Sequence, residues 1–413
     1  MFYNSKNVHP SKDIMFKKSR ILEGKRIALC TCGSVSIIKS IELSRELMRN
    51  GAEVFVVMSY SSQELISPKL FEWATGNPVV TEITGKIEHV LLSKNIDLVI
   101  IAPASANTIG KIVAGIGDTP VTLLVLSALG LKIPILIIPT MHDSMYNNPI
   151  VLENLKKLNS IGIKVFQPEF IEDKAKFPNI EDIVEEVIAI LHKKDLLGKS
   201  VLITAGPTRS YIDSIRFITN SSSGKMGYAF AKEAYSRGAQ VTLISGPTNI
   251  PPPKGIRIIN IETTEEMLNA VDKCLSEKKY DIIIMAAAPL DFSIENKYEG
   301  KISSNSSINI KLKPFPKIID LAKKKSKDSF IIGFKAEYGL TKEELITKAK
   351  EKLIEYGIDL IVANDLSTPI TGFGSDTNEV YVIDKFGSII HLPLSSKRDI
   401  ASKILDIYVR GSL

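Results

Sequence analysis

Short apolar runs rich in β-branched residues alternate with stretches of helical spacing along the chain. The runs of the first half fall at residues 26–30, 53–58, 97–102 and 134–139. Those of the second half fall at residues 201–205, 240–245, 281–286, 331–334 and 359–363. Helical spacing of apolar residues lies between them, as at residues 37–50. Strands that alternate with helices form βαβ units. The pattern therefore predicts an α/β fold with two open, mostly parallel sheets.

The two halves of the chain begin alike and are separated by a polar joint. GKRIALCTCGS starts at Gly24 and GKSVLITAGPT at Gly198, each a predicted strand that runs into a turn of small residues. An amphipathic pattern at residues 180–194 predicts a helix that closes the first half. A chain of 413 residues is long enough for two cores. We therefore expect an N-terminal tail at residues 1–20, a first domain at 21–195 and a second domain at 196–413.

Composition indicates which kinds of molecule the chain is expected to bind. The chain has 52 Lys and Arg against 46 Asp and Glu, a formal net charge of +6, which is too small to indicate a nucleic-acid-binding protein. The three cysteines, Cys30, Cys32 and Cys274, cannot form a disulfide framework and suit a reducing compartment. No apolar run reaches membrane-spanning length, and the first twenty residues lack the apolar core of a secretion signal. These features predict a cytoplasmic protein that acts on small phosphorylated molecules, with no nucleic-acid or membrane partner.

Small polar residues follow three predicted strands of the first half. CGSVS occupies residues 32–36, SYSS residues 59–62, and APASANTIGKIVAGIGD residues 102–118. Open parallel sheets bind ligands at the carboxyl ends of their strands, where Ser, Asn and backbone amides suit a phosphate and a polar ring. Each loop taken alone is better explained by a tight turn. The hypothesis of a binding site therefore needs more specific motifs.

Those motifs are PASANT, at residues 103–108, and IPTMHDSMYNNP, at residues 138–149. With them, the region from residue 24 to residue 191 resembles the flavin-dependent cysteine decarboxylases, a homotrimeric, flavodoxin-like family. The resemblance implies substrate contacts from Met141, Met145 and Tyr146. It also implies an FMN cofactor, bound by Gly33, Ser34, Ser36, Ser59, Ser105, Asn107 and Thr108.

The same resemblance assigns catalysis to two histidines and leaves a proton donor open. His89 occupies the position of the family's catalytic histidine, which we expect before the helix that leads into the third strand. Without such a match, a lone histidine is more often a surface or capping residue. His142 replaces the family's asparagine, and it either binds the substrate carboxylate or supplies a proton. The flap FQPEFIEDKAKFP, at residues 166–178, lacks the family's proton-donating cysteine. Cys32 and Lys174 are the other candidate donors, although Cys32 is equally explained as a buried small apolar residue.

The most specific motif of the chain is ITAGPTRSYIDSIRFITNSSSGKMG, at residues 203–227. Its SSSGK lacks the spacing G-x4-GK-[ST] of a P-loop, so that interpretation is rejected. Further along the chain come AAAPLDF, EGKIS, KPFPKII, GFKAE, VANDLS and FGSDTNEVYVI. In this order the motifs resemble phosphopantothenate–cysteine ligase, as far as residue 394, and imply a Rossmann-like second domain.

The ligase resemblance assigns roles to residues of these motifs. It implies that Asn220 stabilises an acyl intermediate and that Lys301, a catalytic residue, faces the nucleotide phosphates together with Lys352. Ser303 and Tyr356 stand where the family has further lysines. Mg2+ would accompany the nucleotide, and the sequence assigns no residue as its ligand. The implied substrate contacts are Met285, Ala286, Ala287, Asp291, Lys301, Pro316, Lys317, Ile318, Ile319, Phe334, Lys352 and Tyr356.

Together the two resemblances imply a bifunctional enzyme of coenzyme A synthesis. Its ligase would join 4'-phosphopantothenate to L-cysteine with CTP, which the fusion favours over ATP. Its decarboxylase would convert the product to 4'-phosphopantetheine. The implied assembly is a homo-oligomer built from trimers, up to a dodecamer. Two alternatives stay open: a flavin-binding regulatory subunit, and a ligase fused to a flavin-binding domain without catalytic activity.

Overall fold

A computed structural model describes residues 9–171, 174–303, 308–367, 371–372 and 374–411. The chain divides into two compact units, Met1–His192 and Lys193–Leu413.

The described part of the expected N-terminal tail is packed, which corrects that expectation. Residues 1–8 lie outside the described residues. From there a 3-10 helix covers Pro10–Ile14, and Ile14 and Met15 pack against the core of the first unit. The hydroxyl of Ser11 donates to the carbonyl of Trp73. Burial of the two apolar side chains removes them from water, so this segment belongs to the first unit.

The first unit is an open parallel sheet with helices on both faces. Its strands are β1 (Arg26–Thr31), β2 (Glu53–Met58), β3 (Leu98–Ala104), β4 (Ile135–Pro139), β5 (Met141–His142), β6 (Lys164–Val165), β7 (Glu169–Ile171) and β8 (Lys174–Lys176). Its helices are α1 (Ile38–Arg49), α2 (Tyr60–Leu65), α3 (Pro68–Thr75), α4 (Glu88–Ser93), α5 (Ala106–Ala114), α6 (Pro120–Gly130), α7 (Asp143–Tyr146), α8 (Pro149–Ser160) and α9 (Ile180–Leu191). The sheet has the flavodoxin-like order β2-β1-β3-β4-β6. Three short antiparallel strands form a second sheet in the order β5-β8-β7.

Continuous apolar runs explain why both faces of this sheet are covered. In β1, Ile27 and Leu29 join the core that contains α1, α3 and α9, whereas Ala28 and Cys30 join the core that contains α5, α6 and α8. Successive side chains of a strand point to opposite faces. A strand that is apolar at every position is therefore buried on both.

The second unit is a larger sheet of mixed direction. Its strands are β9 (Ser200–Ala205), β10 (Arg209–Tyr211), β11 (Phe217–Thr219), β12 (Gln240–Ser245), β13 (Arg257–Asn260), β14 (Ile282–Met285), β15 (Phe292–Ile294), β16 (Leu312–Pro314), β17 (Phe330–Glu337), β18 (Leu360–Asp365), β19 (Thr377–Asp384) and β20 (Ile389–Ser396). Its helices are α10 (Lys225–Ser236), α11 (Thr264–Glu277), α12 (Ile318–Lys325), α13 (Lys342–Tyr356) and α14 (Lys397–Arg410). The sheet order is β13-β12-β9-β14-β17-β18-β19-β20. The first six of these strands pair in parallel, and β19 and β20 are antiparallel.

The parallel part of this sheet has the Rossmann-like strand order. Successive strands are added on one side of β9 as far as β13, and then on its other side from β14 onward. The ribbons β10-β11 and β15-β16 are separate two-stranded sheets. The predicted fold class, two open and mostly parallel sheets, is confirmed in both units. The sequence pattern did not predict the antiparallel pair β19-β20, which extends the second sheet.

Polar caps explain where several helices begin. A Ser, Thr or Asn side chain accepts a hydrogen bond from a backbone N–H group of the first helical turn, as is typical of N-caps. The caps are Thr119 of α6, Asn179 of α9, Thr263 of α11, Thr341 of α13 and Ser396 of α14.

A buried arginine joins α10 to α14 in the second unit. The side chain of Arg237, at the end of α10, is fully buried and donates to both carboxylate oxygens of Asp195, at 2.7 and 2.6 Å. It also pairs with Asp406 of α14 at 2.9 Å. Burial raises the pKa of Asp195, but hydrogen bonds from Arg237 and Lys193 outweigh that effect and lower its pKa overall. The carboxylate therefore stays ionised and holds the arginine in place.

A second ion pair joins the same two helices. It lies about one turn earlier on α10 and about two turns earlier on α14. Arg398 of α14 donates to Glu233 of α10 at 2.8 Å, and the carboxylate of Glu233 is fully buried. Arg398 also donates to the hydroxyl of Ser236 at 2.8 Å. Together the two pairs clamp α14 against α10.

We predict that Arg237→Met loosens this contact. Removal of one partner of a buried ion pair destabilises a protein by about 3 kcal/mol, so backbone amides of α10 and α14 should exchange with solvent faster. Hydrogen-exchange mass spectrometry of the full chain measures this directly. The matched control is Arg257→Met, which breaks an exposed pair with Glu277 and should cost less than about 1 kcal/mol. Equal protection of α10 and α14 in the two variants would contradict the prediction.

Candidate active sites

The loops after β1 and β3 meet at the carboxyl edge of the first sheet. The thiol of Cys32 hydrogen-bonds with the side chain of Thr108 and the backbone of Ser105. Ser105 caps α5: its hydroxyl lies 3.4 Å from the N–H of Thr108 and 3.2 Å from the hydroxyl of Thr108. Two predicted cofactor-binding residues, Ser105 and Thr108, are therefore in contact. Asn107, the third cofactor contact that was predicted within PASANT, is exposed.

The loop after β1 also reaches the ends of β2 and β4. The hydroxyl of Ser34 lies 3.2 Å from that of Thr140, which follows β4. A Cβ atom at Gly33 would lie 2.7 Å from the Cβ atom of Ser61 in α2. Only glycine allows this close approach of the loop to the start of α2. Ser36 is half-buried in the same loop.

Ser59 supplies a donor that nothing in the described part of the chain satisfies. It follows β2, its side chain is buried, and its hydroxyl has no hydrogen-bond partner among the described residues. Buried polar groups are normally paired. An unpaired hydroxyl at a strand end therefore fits a ligand with polar groups, such as a flavin phosphate. The edge formed by β1, β2 and β3 is consequently the candidate cofactor site of this unit.

His89 lies in the first turn of α4, whereas the sequence predicted it before that helix. Its Nδ1 atom is buried and has no hydrogen-bond partner among the described residues. Ile87, immediately before α4, has the left-handed φ angle of 48°. Backbone strain of this kind is common at functional sites. No hydrogen bond recorded for the described residues joins His89 to the loops after β1, β2 and β3, so its catalytic role stays a prediction.

His142 is an exposed residue at the start of α7. Its Nδ1 atom lies 3.0 Å from the hydroxyl of Ser144 and accepts weakly from the Ser144 N–H at 3.4 Å. In the antiparallel pairing of β5 with β8, His142 is directly opposite Lys174. Directly opposite residues of an antiparallel pair have neighbouring side chains. The structure thus brings together two of the three proton-donor candidates.

The residues around this pair form an apolar wall. Tyr146 is buried and packs edge-on against Phe170 with ring centroids 5.1 Å apart, and burial raises the pKa of its phenol. Met145 is half-exposed and Met141 is partly buried. Phe170 and Lys174 belong to the predicted flap, whose residues 172–173 lie outside the described residues.

Cys32, the third proton-donor candidate, is ruled out by its surroundings. Its side chain is fully buried in the core of the sheet, and burial raises the pKa of the thiol to about 11. A buried thiol with so high a pKa is inert as an acid at neutral pH. The interpretation of Cys32 as a small apolar core residue is correct.

The second unit contains a cavity of 610 Å³ at the carboxyl ends of β9, β14, β17 and β18. Open α/β sheets bind ligands at this position, and the volume suits a small molecule. Ten of the residues predicted as substrate contacts or catalytic residues line it. They are Asn220, Met285, Ala286, Ala287, Asp291, Lys317, Ile318, Ile319, Phe334 and Tyr356.

The start of α10 forms one wall of this cavity. Residues 221–224 line it, and the helix begins after Gly224, whose φ angle is 78°. A Cβ atom at Gly227 would lie 2.5 Å from the Cβ atom of Ala205 and 3.0 Å from the carbonyl oxygen of Thr204. Glycine at this position lets α10 pack directly on β9. The N–H groups of the first helical turn, which helices leave unpaired, therefore lie beside the cavity and favour an anion.

Asn220 is held by the loop after β14. Its side-chain amide donates to the carbonyl oxygens of Ala288 and Pro289, both at 3.1 Å. This bond joins the strand ends of β11 and β14 across the cavity. The amide oxygen, which is not used in these two bonds, remains an acceptor for a ligand.

The charged residues that line the cavity are mostly lysines. Among the described residues, the lining contains Lys225, Lys317, Lys335 and Lys397 and one carboxylate, Asp291, which accepts from Lys317 at 2.6 Å. The cavity therefore carries excess positive charge, which favours a polyanionic ligand.

Phe334 and two buried amides complete the lining. Phe334 packs edge-on against Phe230 at 5.8 Å between ring centroids. The side chains of Asn364 and Asn378 are buried and line the cavity. The sequence analysis assigned no role to these asparagines. The motifs VANDLS and FGSDTNEVYVI contain Asn364 and Asn378 and signal both positions, although the pattern of apolar runs did not predict β19, from which Asn378 enters the cavity.

Three predicted residues, Lys301, Pro316 and Lys352, are not among the described residues that line the cavity. Lys352 lies beside it. The ammonium of Lys352 donates to Glu355 at 2.6 Å, which raises its pKa, and lies 5.5 Å from the ring centroid of Tyr356. Pro316 and Lys301 are exposed. The backbone around Lys301 is held by the ribbon β10-β11, since the Asp213 carboxylate accepts from the N–H of Ile302 at 3.1 Å. Residues 304–307 of this loop lie outside the described residues, so the role of Lys301 stays a prediction.

A resident metal site built from side chains is not found in the parts of the chain that the structure describes. No group of three or more His, Cys, Asp or Glu residues there could hold a metal ion. Likewise, none of the described helices is long and apolar enough to cross a membrane.

The fold and the two sites define a class of protein: a two-unit α/β enzyme with a flavodoxin-like unit and a Rossmann-like unit. The family profile "Flavoprotein" matches residues 15–192, and "DNA/pantothenate metabolism flavoprotein C-terminal domain" matches residues 196–410. The coenzyme A biosynthesis bifunctional protein CoaBC of Thermococcus kodakarensis is 48% identical over 404 residues, 97% of this chain and 98% of that protein. That of Methanocaldococcus jannaschii is 40% identical over 406 residues, 97% of this chain and 98% of that protein.

A crystal structure of the C-terminal domain of a CoaBC protein is 34% identical, covers 53% of this chain and 98% of that chain, and has a TM-score of 0.45. The chain belongs to the family of coenzyme A biosynthesis bifunctional proteins. The predicted family and class of enzyme are confirmed.

We predict that Gly227→Ala distorts the cavity. The new methyl group would overlap Ala205 and push α10 away from β9, and overpacking of this kind costs about 2 kcal/mol. Calorimetry should show a lower unfolding temperature, and titration calorimetry a weaker binding of CTP, the nucleotide that the sequence predicts as co-substrate. The control is Gly130→Ala at the end of α6, where a Cβ atom meets nothing within 4 Å and stability should change by less than about 1 kcal/mol. Unchanged CTP binding in Gly227→Ala would show that this contact does not shape the site.

Proposed function

We propose that the second unit joins 4'-phosphopantothenate to L-cysteine with CTP, and that the first unit decarboxylates the product to 4'-phosphopantetheine. The observation that carries the proposal is the cavity of the second unit, in which ten residues predicted for the ligase, Lys317 among them, lie together with three further lysines. Family membership over nearly the whole chain supports the pairing of the two activities.

The cavity suits an acyl-nucleotide mechanism. The carboxylate of phosphopantothenate would attack the α-phosphorus of CTP, which forms an acyl cytidylate and releases pyrophosphate. The amine of cysteine would then attack the acyl carbon, which forms the amide and releases CMP. Negative charge builds on phosphate oxygens in the first step, where lysines fixed in a cavity stabilise it most effectively.

Individual residues take roles that follow from their contacts. The N–H groups at the start of α10, with Lys317 and Lys335 of the lining, would hold the triphosphate. Lys352, next to Tyr356, would approach the phosphates from α13. Asn220, fixed by the carbonyls of Ala288 and Pro289, would hold the acyl intermediate with its amide oxygen. Lys301 would act from the loop after β15 when that loop approaches the cavity.

Mg2+ would arrive with the nucleotide. This cation is commonly held by substrate phosphates and one or two carboxylates, and Asp291 is the carboxylate that lines the cavity. Its carboxylate lies 2.6 Å from the ammonium of Lys317, on the lysine-rich lining. The donor set therefore fits a cation bound mainly through CTP.

The edge formed by β1, β2 and β3 in the first unit fits FMN. The unpaired buried hydroxyl of Ser59 and the hydroxyls of Ser34 and Ser105 are donors for a phosphate or a polar ring. Bound FMN would supply the two-electron chemistry that activates the cysteinyl part of the substrate for loss of carbon dioxide. His89, with its unpaired Nδ1 atom, would bind or move a proton at the substrate.

His142 and Lys174 would have different roles at the flap. An imidazole exchanges protons near neutral pH, so His142 would donate the proton that completes the product. Lys174 lies opposite it in the ladder, and an ammonium group there would bind the substrate carboxylate. The proposed assembly is a homo-oligomer built from trimers, which mass photometry of the purified chain would test.

The proposed function is tested by separating the two activities with His89→Asn. The full chain, given CTP, 4'-phosphopantothenate and cysteine, should form 4'-phosphopantetheine. The variant should release pyrophosphate at the normal rate and accumulate 4'-phosphopantothenoylcysteine, since the two sites belong to different units. Mass spectrometry of the products and a pyrophosphate assay measure both steps. The control, His391→Asn, removes an exposed histidine paired with Glu379 and should keep both activities.

Other outcomes of that experiment support different functions. A wild-type chain that forms 4'-phosphopantothenoylcysteine but never 4'-phosphopantetheine would be a ligase with a non-catalytic flavin-binding domain. A chain that binds flavin and has neither activity would be a regulatory subunit.

The division of roles at the flap predicts different defects for two variants. His142→Asn should still release carbon dioxide in a single turnover but form 4'-phosphopantetheine about a hundredfold more slowly, the usual loss for a general acid. Lys174→Met should instead raise KM for 4'-phosphopantothenoylcysteine with a smaller change in kcat. Rapid quenching with mass spectrometry separates the two steps. Lys157→Met, on the exposed face of α8, is the control. Normal product formation in His142→Asn would refute its role as proton donor.

A further inference from the structure

Two lysines that the sequence analysis left unassigned meet in the wall of the ligase cavity. Lys225 is the first residue of α10, Lys397 is the first residue of α14, and both line the cavity. The ammonium of Lys225 donates to the carbonyl of Gly374 at 2.7 Å, and that of Lys397 donates to the carbonyl of Ser375 at 2.5 Å. The two acceptors are consecutive carbonyls, and Lys225 lies near enough to Lys397 to repel its ammonium group.

Among the described residues, these two cations share one counterion, which is exposed to solvent. Asp376 pairs with Lys225 at 2.7 Å, but the side chain of Asp376 is 89% exposed. Solvent screens an exposed carboxylate, whereas Lys397 is only 7% exposed. The wall of the cavity therefore holds a buried positive charge that its neighbours neutralise only in part.

Other charged groups near the start of α14 are already engaged. On α10, Glu233 accepts from Arg398. On β19 and β20, Glu379 pairs with His391 at 2.6 Å. The charges that act on Lys397 are those of Lys225, which repels it, and Asp376, which attracts it.

The unfavourable environment of the Lys397 ammonium group lowers its pKa. Burial, and then repulsion by Lys225, lower the pKa to about 8, against the smaller attraction of Asp376. A buried ammonium destabilises the ligand-free protein unless an anion accompanies it. A ligand that brings negative charge to this wall would remove the cost.

We propose that Lys225 and Lys397 together form an anion contact that binds a phosphate group of a ligand in the cavity. The phosphate comes either from the nucleoside triphosphate or from the phosphorylated acid substrate, and both share the chemistry that the two ammonium groups recognise. The proposal rests on the proposed function of the second unit, because it adds a contact to the same cavity. The flexible alkyl chains allow each ammonium to keep one carbonyl partner and donate its remaining hydrogens to phosphate oxygens.

The contact makes ligand binding depend on pH in a definite direction. A phosphate beside Lys397 favours its charged form, so the bound pKa is higher than the free pKa of about 8. Binding above about pH 8 must then take up a proton, and affinity must fall as the pH rises. Below that pH the lysine is already protonated, and affinity is constant with respect to this group.

Titration calorimetry of the full chain with CTP, and separately with 4'-phosphopantothenate, tests the contact at about pH 7 and about pH 9. Lys397→Gln keeps the length of the side chain but not the charge, and it should weaken binding of one ligand at the lower pH. Loss of a charge-assisted hydrogen bond corresponds to about tenfold to hundredfold in affinity. The matched control is Lys403→Gln on the exposed face of α14, which should change affinity by less than about twofold.

Proton uptake is measured by repeating the titrations in buffers of different ionisation enthalpy. Wild-type protein should take up protons at about pH 9 when the phosphate ligand binds, and Lys397→Gln should take up fewer. Lys397→Arg, which stays charged at both pH values, should bind with an affinity that no longer falls with pH. Lys225→Gln should weaken the binding of the same ligand that Lys397→Gln affects.

Each outcome has a definite meaning. Loss confined to CTP assigns the contact to the nucleotide, and loss confined to 4'-phosphopantothenate assigns it to the acid substrate. Equal affinity and equal proton uptake in wild type and Lys397→Gln overturn the proposal. Failure of the wild-type protein to bind CTP at all would instead overturn the proposed ligase function.

Discussion

The packing of α10 against β9 on one side and α14 on the other is the constraint on which the ligase site depends. Gly227 allows α10 to lie directly on Ala205, and the buried pairs Arg237–Asp406 and Arg398–Glu233 hold α14 against the same helix. Both helices begin at the cavity. Their relative position therefore decides where the first helical N–H groups and the first lysine of each helix lie.

Buried ion pairs are a costly way to join two helices. Each ion loses its hydration, and apolar residues of the same volume often pack as well. Ion pairs do, however, fix the register between two helices more narrowly than an apolar contact, because Arg237 must meet Asp195 and Asp406 at once. A site that binds a polyanion through residues from both helices requires that precision.

The first unit organises its site differently. Its donors come from loops that the sheet order β2-β1-β3-β4-β6 brings to one edge, and short contacts such as Ser34 to Thr140 join loops that are distant in sequence. The two histidines that are predicted to act in catalysis belong to other elements, His89 to α4 and His142 to the flap ladder.

The sequence predicted the fold class because apolar runs of strand length are bounded by small residues in both units. It did not predict the pair β19-β20. Although β19 contains the apolar run VYVI at residues 380–383, its partner β20 has Leu392 as its one buried residue and so lacks the continuous apolar run that marks a buried parallel strand. Local motifs located the residues that follow strands, such as Asn220 and Phe334. They could not locate Lys397, since its place in the cavity depends on how α14 returns to α10 from far along the chain. Burial, which decides the role of Cys32, is likewise invisible in a short motif.

The position of α14 has a consequence for biosynthesis of the protein. All the described strand-end donors of the first unit lie within residues 33–140, so that site can assemble while the ribosome is still translating the second unit. The ligase cavity needs Lys397 and Asn378 beside residues 220–225, and these come together only after α14 has been synthesised. The strand-end loops of the first unit are therefore complete in the nascent chain before the cavity of the second unit. A chain stalled before α14 would have a second unit whose cavity still lacks Lys397.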